Sequence, residues 1–425
     1  MALGVSTERS TSVQAPAQNF TVPLILMVSL YFAIGFITSL NDILVQHFKD
    51  LFSLSNTGAL LVQFCFFTAY FVMSLPSGWI IGRIGYKKGI VVALAVMGLG
   101  LLLFLPASVI IFYPLFLFAL FVVGSGLALL QVAINPYVGA LGKPETAASR
   151  INLTGFFNST ATTIAPKLGA VFIFIAAGAT TAQLARSVRA PYLILSVCAF
   201  AMATLVAFVH LPDVIERADD HSKSDGSAWR FNHLRLGALA IFFYVGAEVA
   251  IGSILITFLS QPSMGSLSHS AAATYVSYYW GGAGIGRLIG FFALQKIRAQ
   301  RALAFVSLIA SLLVITTLIS HGHVAMWAIV SCGLFNSIMW PCIFPLSLEG
   351  LGKFTSQGSG ILVTMVVGGA VIPEIQGFLA DRFGYQPSFA IVLLCYVYIL
   401  FFALKGHRNL NAVATSNTPN PAVIQ

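Results

Sequence analysis

Gly78-Trp79-Ile80-Ile81-Gly82-Arg83-Ile84-Gly85-Tyr86-Lys87-Lys88 is a glycine-rich stretch with three cations and no acid, set where two apolar runs meet. The runs, 57–81 and 89–105, each come close to the ~20 apolar residues that carry a helix across the hydrocarbon layer. A connector this brief turns the second run back beside the first as an antiparallel pair. The same alternation of apolar run and polar punctuation continues along the chain. It predicts helices over 22–48, 57–81, 89–105, 111–141, 150–177 and 191–211, then over 236–259, 271–294, 302–320, 324–348, 358–379 and 389–404.

The composition agrees with that reading. The chain has 425 residues, of which 58% are hydrophobic and 8% charged, and its mean hydropathy is +0.90. A soluble domain carries roughly 25% charged residues, so a water-soluble globular protein is excluded and an all-α polytopic membrane protein is expected. The 22 basic residues outnumber the 13 acidic ones, but they lie in short clusters between apolar runs, which speaks against nucleic-acid binding. The five cysteines sit in apolar segments without CxxC or Cys/His spacing and read as small buried hydrophobes. His321-Gly322-His323 has no Cys or acidic neighbour and is not read as a metal site, and no cofactor is expected.

One hydrophilic stretch, 212–233, holds Asp213, Glu216, Asp219, Asp220 and Asp225 beside Arg217, Lys223 and Arg230. It reads as a linker between two bundles of six helices, 20–211 and 234–408, with 1–19 and 409–425 as disordered tails. An N-terminus on the cytoplasmic side places Arg83, Lys87, Lys88, Lys143, Lys296, Arg298, Arg301, Lys353, Lys405 and Arg408 on that side together with the linker. Only Lys49, Arg186, Arg189 and Arg382 fall opposite, so the positive-inside rule selects both termini cytoplasmic and an even number of spans.

The two halves resemble each other. Asp42 and Glu248 are 206 residues apart, Asn135-Pro136 and Trp340-Pro341 are 205 apart, and Ile164-Ala165-Pro166 and Val371-Ile372-Pro373 are 207 apart. Gly78, Gly82 and Arg83 have counterparts in Gly286, Arg287 and Gly290. A common offset near half the length points to a duplicated bundle, the parallel repeat of a large transporter architecture.

The stretch 78–88 resembles the signature loop of the major facilitator superfamily, with Gly82 where an Asp is usual. Over nearly its whole length the chain is similar to the fucose-galactose-glucose:proton symporter family. The resemblance is carried by Leu40-Asn41-Asp42-Ile43-Leu44, Leu130-Gln131-Val132-Ala133-Ile134-Asn135-Pro136-Tyr137-Val138, Ser149-Arg150-Ile151-Asn152-Leu153, Phe157-Asn158-Ser159, Phe243-Tyr244-Val245-Gly246-Ala247-Glu248, Phe335-Asn336-Ser337-Ile338-Met339-Trp340-Pro341 and Glu349-Gly350-Leu351-Gly352. It implies a twelve-helix bundle in a bacterial inner membrane, monomeric, with a sugar site at mid-membrane exposed alternately to either side and uptake coupled to protons. Asp42 is the coupling acid it indicates. Fucose-type members carry a second acid where this chain has Gln131, as glucose/galactose-type members do. Ile34 stands where the family usually has Trp, and Gly155 where many members have Gln.

A carboxylate inside a spanning helix is costly and marks an ion or proton pathway by default. Asp42, beside Asn41, is the first candidate for the coupling proton and Glu248 the second; Glu349 and Glu374 lie nearer helix ends and read as local ion pairs. Sugar recognition needs amides and carboxylates that bond hydroxyls, with aromatic faces for the apolar side of the ring. Gln131 and Asn135 are one turn apart and face the same way. Asn41, Asn158, Asn336 and Tyr244 add polar groups for substrate binding, and Trp280 and Trp340 are the stacking candidates. For each amide the alternative is an interhelical hydrogen bond, and for each aromatic it is packing. Arg83 and Arg287 are assigned to a cytoplasmic gate. Without a P-loop, transport driven directly by ATP within the chain is not expected. L-fucose or N-acetylglucosamine as substrate, sodium-coupled or facilitative transport, and a membrane sugar sensor remain as alternatives.

Overall fold

A computed structural model describes residues 20–54, 56–173, 180–212 and 226–408. Twelve helical segments run through it. The first half contains α1 (Thr21–Phe52), α2 (Asn56–Ile84), α3 (Tyr86–Ile110), α4 (Tyr113–Ala140), α5 (Ala147–Ile173) and α6 (Thr181–Phe208). The second contains α7 (Asn232–Leu259), α8 (His269–Ala293), α9 (Ala299–Ile319), α10 (Gly322–Leu348), α11 (Gly352–Phe383) and α12 (Tyr385–Gly406). Among the described residues ten helices are long and apolar enough to cross a membrane. The other two segments, α5 and α8, are richer in Asn, Ser, Thr, Tyr, Gly and Arg and pack on each other across the halves. The residues expected to form the tails, and 213–225 of the linker, lie outside the described residues; 228–230 form a single 3₁₀ turn leading into α7.

The duplication read from the spacing reappears as packing. In the first half α1 packs on α5, α2 on α4, α3 on α4 and α3 on α6; in the second, α7 packs on α11, α8 on α10, α9 on α10 and α9 on α12. Two of these seams need glycine. At Gly35 an added Cβ would lie 3.1 Å from the Asn158 carbonyl carbon, and at Gly246 one would lie 3.0 Å from the Gly368 carbonyl oxygen, so α1 meets α5 and α7 meets α11 almost backbone to backbone. Such small-residue contacts are how helices associate where lipid is as apolar as leucine.

The repeats are not identical. α4 passes through Asn135-Pro136 unbroken, whereas α10 is interrupted at Ser337–Ile338 and restarts at Met339. Pro341 then falls in the first turn of the new helix, where its missing N–H leaves no bond unmade. α11 carries a tight turn at Met365–Val367, and α12 ends in a π-helical turn at Phe402–Gly406.

The halves join through α2 against α11 and α5 against α8. The contacts fall in the parts of these helices nearest the connections α2–α3, α4–α5, α8–α9 and α10–α11, a side called here the linker face. A Cβ at Gly78 would lie 2.7 Å from the Ser356 carbonyl, and one at Gly360 would lie 2.7 Å from the Ser74 carbonyl. The hydroxyl of Ser149 donates to the Phe291 carbonyl at 2.7 Å, and that of Ser359 to the Val132 carbonyl at 2.8 Å. Helices α1 and α7 make their main contacts inside their own halves. The halves thus meet at the linker face.

Candidate functional site

Two polar clusters lie in the middle of the bundle, one in each half. In the first, the hydroxyl of Tyr31 on α1 donates to Asn135 Oδ1, and Asn135 Nδ2 donates to the Gln131 carbonyl at 2.8 Å. Gln131 Nε2 donates to the Tyr70 hydroxyl of α2 at 2.9 Å, and Asn158 Nδ2 of α5 donates to the Tyr31 carbonyl at 3.0 Å. Four helices are therefore tied by three amides and two tyrosines. Asn135 is buried, whereas Gln131 and Asn158 are half-buried. No described residue donates to the Gln131 side-chain carbonyl, which leaves an acceptor in a polar setting.

The second cluster centres on Glu248 of α7. Tyr244, one turn earlier, donates its hydroxyl to Glu248 Oε1 at 3.0 Å, and Tyr279 of α8 donates to the Glu248 backbone carbonyl at 2.9 Å. The positive charge of Arg287 on α8 acts on both Tyr244 and Glu248. Its Nη1 also donates to the Gly155 carbonyl at 3.2 Å and to the Ser159 hydroxyl of α5. Ser159 adjoins Asn158, so Arg287 joins the second cluster to the first.

Arg287 was expected at a gate near the membrane surface. Its backbone is indeed near the linker-face end of α8, where its carbonyl accepts from Asn152 Nδ2, but its guanidinium reaches inward between the halves. It passes close to Gly155, where an added Cβ would lie in ordinary contact at 3.5 Å from Arg287 Cδ. Arg83, the other expected gate residue, is exposed and stacks on Trp79 of its own helix, with its guanidinium carbon 3.9 Å from the ring centroid.

Asn336 needs a correction. It was expected to face the cavity with the other amides, but it is wholly buried inside the second half. Its Nδ2 donates to the Tyr279 hydroxyl at 2.9 Å, and its Oδ1 accepts from the Tyr396 hydroxyl at 2.7 Å. With both ends of the amide engaged by α8 and α12, it ties helices together. Replacing Asn336 with Leu leaves the buried Tyr396 hydroxyl without its acceptor and takes a donor from the Tyr279 hydroxyl; it is expected to cost about 2 kcal/mol, read as a lowered Tm of the purified protein. Sugar affinity is expected to stay within about threefold, because the side chain does not reach the cavity.

The aromatic candidates divide. Trp280 is 44% exposed and lies across α7, where a Cβ at Gly252 would come within 3.2 Å of its ring, one turn from Glu248. It presents an open indole face. Trp340 is half-buried, stacked on Phe344 at 5.4 Å and tilted against Tyr244 at 6.5 Å. Phe344 in turn lines a crevice of about 900 Å³ that enters from the linker face, bounded by Glu145, Arg298, Gln300 and Glu349, with Asn135 also in its wall. Asn135 thus brings the first cluster to the wall of this crevice, and Phe344 connects it through Trp340 to Tyr244 of the second. Asn41 and Asp42 lie on α1, but their side chains fall outside the described residues. The participation of Tyr31, Tyr70 and Tyr279 was not anticipated; a tyrosine in an apolar run looks like packing until its hydroxyl is seen against an amide.

The arrangement of two six-helix halves around a polar centre is matched by known proteins. The sequence profile of the Major Facilitator Superfamily covers residues 25–373. The chain belongs to the Major Facilitator Superfamily. It is 50% identical over 412 residues to the glucose/galactose transporter of Brucella abortus, covering 96% of this chain and 100% of that one. The L-fucose-proton symporter of Escherichia coli is 32% identical over 416 residues, covering 91% and 93% of the two chains. The crystal structure of FucP in the outward conformation superposes with a TM-score of 0.84 at 30% identity, covering 91% of this chain and 99% of that one. The proton:xylose symporter XylE shares the fold at a TM-score of 0.72 and 14% identity. The chain is therefore a multi-pass membrane transporter with the twelve-helix fold of the superfamily, and not an enzyme.

Proposed function

We propose that this major facilitator chain takes up a hexose, glucose or galactose, by proton-coupled symport. The observation that carries the reading is the paired polar centre. One half offers amides, at Gln131 and Asn158, and the other offers a carboxylate and an open indole, at Glu248 and Trp280. Amides and carboxylates bond vicinal hydroxyls, and an indole face covers the apolar side of a pyranose ring. A glucose/galactose transporter and a putative glucose/galactose transporter are 50% and 41% identical to this chain, and Gln131 accords with that substrate class. Proton coupling is supported by the symporter relatives and by the intramembrane acids Asp42 and Glu248.

In this reading the linker face is cytoplasmic. Sugar and proton enter from the other side, the halves rock about the α2–α11 and α5–α8 seams, and the sugar leaves through the crevice below Phe344. Asn135, Tyr244 and Trp340 form the floor of the site, and Asn41 lies beside the coupling acid. Counterflow of labelled glucose into proteoliposomes, competed by galactose, L-fucose and N-acetylglucosamine, tests the substrate class. Glucose and galactose are expected to compete at least tenfold better than the other two. Stronger competition by L-fucose or N-acetylglucosamine would replace the substrate and leave the fold untouched.

A further inference from the structure

Apart from the transport centre, the linker face carries a second built cavity. It is a pocket of about 230 Å³ between the first turn of α7 and the end of α12, lined by Asn232, Arg235, Leu236, Lys405, Gly406 and Arg408. Three of those six residues are cations, and no carboxylate is among them. Arg235 donates to Asn232 Oδ1, a neutral acceptor, and no carboxylate pairs with it among the described residues. The start of α7, a helix of 28 residues with no side-chain cap, adds the partial positive charge of its unpaired N–H groups. The π-helical turn at Phe402–Gly406 widens the end of α12, and the bare backbone at Gly406 lets the pocket reach inward.

What lies beside each cation distinguishes a lipid from a free ion. Arg235 has exposed Leu239 one turn deeper on α7, Lys405 has exposed Phe401, and Arg408 has exposed Leu404 on α12. Every charge is thus paired with an exposed apolar side chain on the membrane side. A soluble phosphate would use only the cations, whereas a phospholipid uses both. We propose that this pocket is a binding site for the headgroup of an anionic phospholipid, with phosphate held between Arg235, Lys405 and Arg408 and acyl chains along Leu239, Phe401 and Leu404. Basic pockets between helices at a membrane surface bind such headgroups. α7 carries Tyr244 and Glu248, so an occupied pocket would steady the helix that bears the second cluster.

The test uses the full chain in detergent, with thermal unfolding followed while phosphatidylglycerol, phosphatidylcholine or inorganic phosphate is titrated. Phosphatidylglycerol is expected to raise Tm at lower concentration than phosphatidylcholine, and inorganic phosphate at matched concentration is expected to do little. Each cation contributes roughly a fivefold factor, so R235Q/K405Q/R408Q should weaken phosphatidylglycerol binding about a hundred-fold. K87Q/K88Q/K296Q, which removes equal charge elsewhere on the same face, should leave it within about threefold. R408Q alone guards against misfolding of the triple variant and should show the single fivefold step. Unchanged phosphatidylglycerol affinity in R408Q and in the triple variant would overturn the site. Equal stabilisation by inorganic phosphate would assign it to a free anion and overturn the lipid.

Discussion

Replacing Arg287 with Met removes gradient-driven sugar accumulation and destabilises the protein, and adding Glu248→Gln restores much of the stability but not the accumulation. The argument is electrostatic. Arg287 is the cation that acts on Glu248 and Tyr244 while bonding Gly155 and Ser159 across the seam between the halves. Both side chains are half-buried, so removing the cation leaves the Glu248 charge partly uncompensated, at a cost on the order of 1 kcal/mol. Removing both leaves only lost hydrogen bonds, so the double variant should be more stable than Arg287→Met alone. The two changes are then non-additive. The measurements are Tm for the wild type, both single variants and the double variant, together with uptake under an imposed proton gradient. Additive losses of Tm would show that Arg287 and Glu248 act independently.

Asp42→Asn is expected to abolish uphill uptake while preserving sugar exchange. Asp42 lies on α1 at the position that the repeat pairs with Glu248 on α7. A carboxylate in a spanning helix is a proton relay by default, and an asparagine keeps its shape without its titration. An inward gradient of two pH units stores about 2.7 kcal/mol per proton, enough for up to about a hundred-fold accumulation with one proton per sugar. The wild type should approach that ratio and Asp42→Asn should fall to a ratio of about one. Counterflow, which needs no net proton movement, should stay within about threefold. Accumulation by Asp42→Asn equal to the wild type would transfer the coupling role to another acid, with Glu248→Gln as the next variant to test.

The architecture was legible in the sequence because a bilayer imposes a length on every apolar run, and because the spaced pairs Asp42 and Glu248, and Asn135-Pro136 and Trp340-Pro341, report the duplication directly. The site was legible in part. Gln131, Asn135, Asn158, Tyr244 and Glu248 do come together in two mid-bundle clusters, since spacing along one helix fixes a shared face. Which face turns toward the cavity is set by packing between helices. For that reason Asn336, which the repeat pairs with Gln131, lies in the interior between Tyr279 and Tyr396. The reach of a long side chain is equally invisible in one dimension: Arg287 looks like a surface gate until Gly155 is found opposite it. A rule that every buried amide needs a named partner would have pointed to Tyr31, Tyr70, Tyr279 and Tyr396.

The symporter reading is tested most directly by uptake of labelled glucose and galactose into proteoliposomes under an imposed inward proton gradient, with and without an uncoupler. Accumulation well above the external concentration, collapsing to equilibrium when the uncoupler is added, is the expected result. Uptake that stops at equilibrium with the gradient intact would contradict proton coupling and make the protein a facilitative carrier.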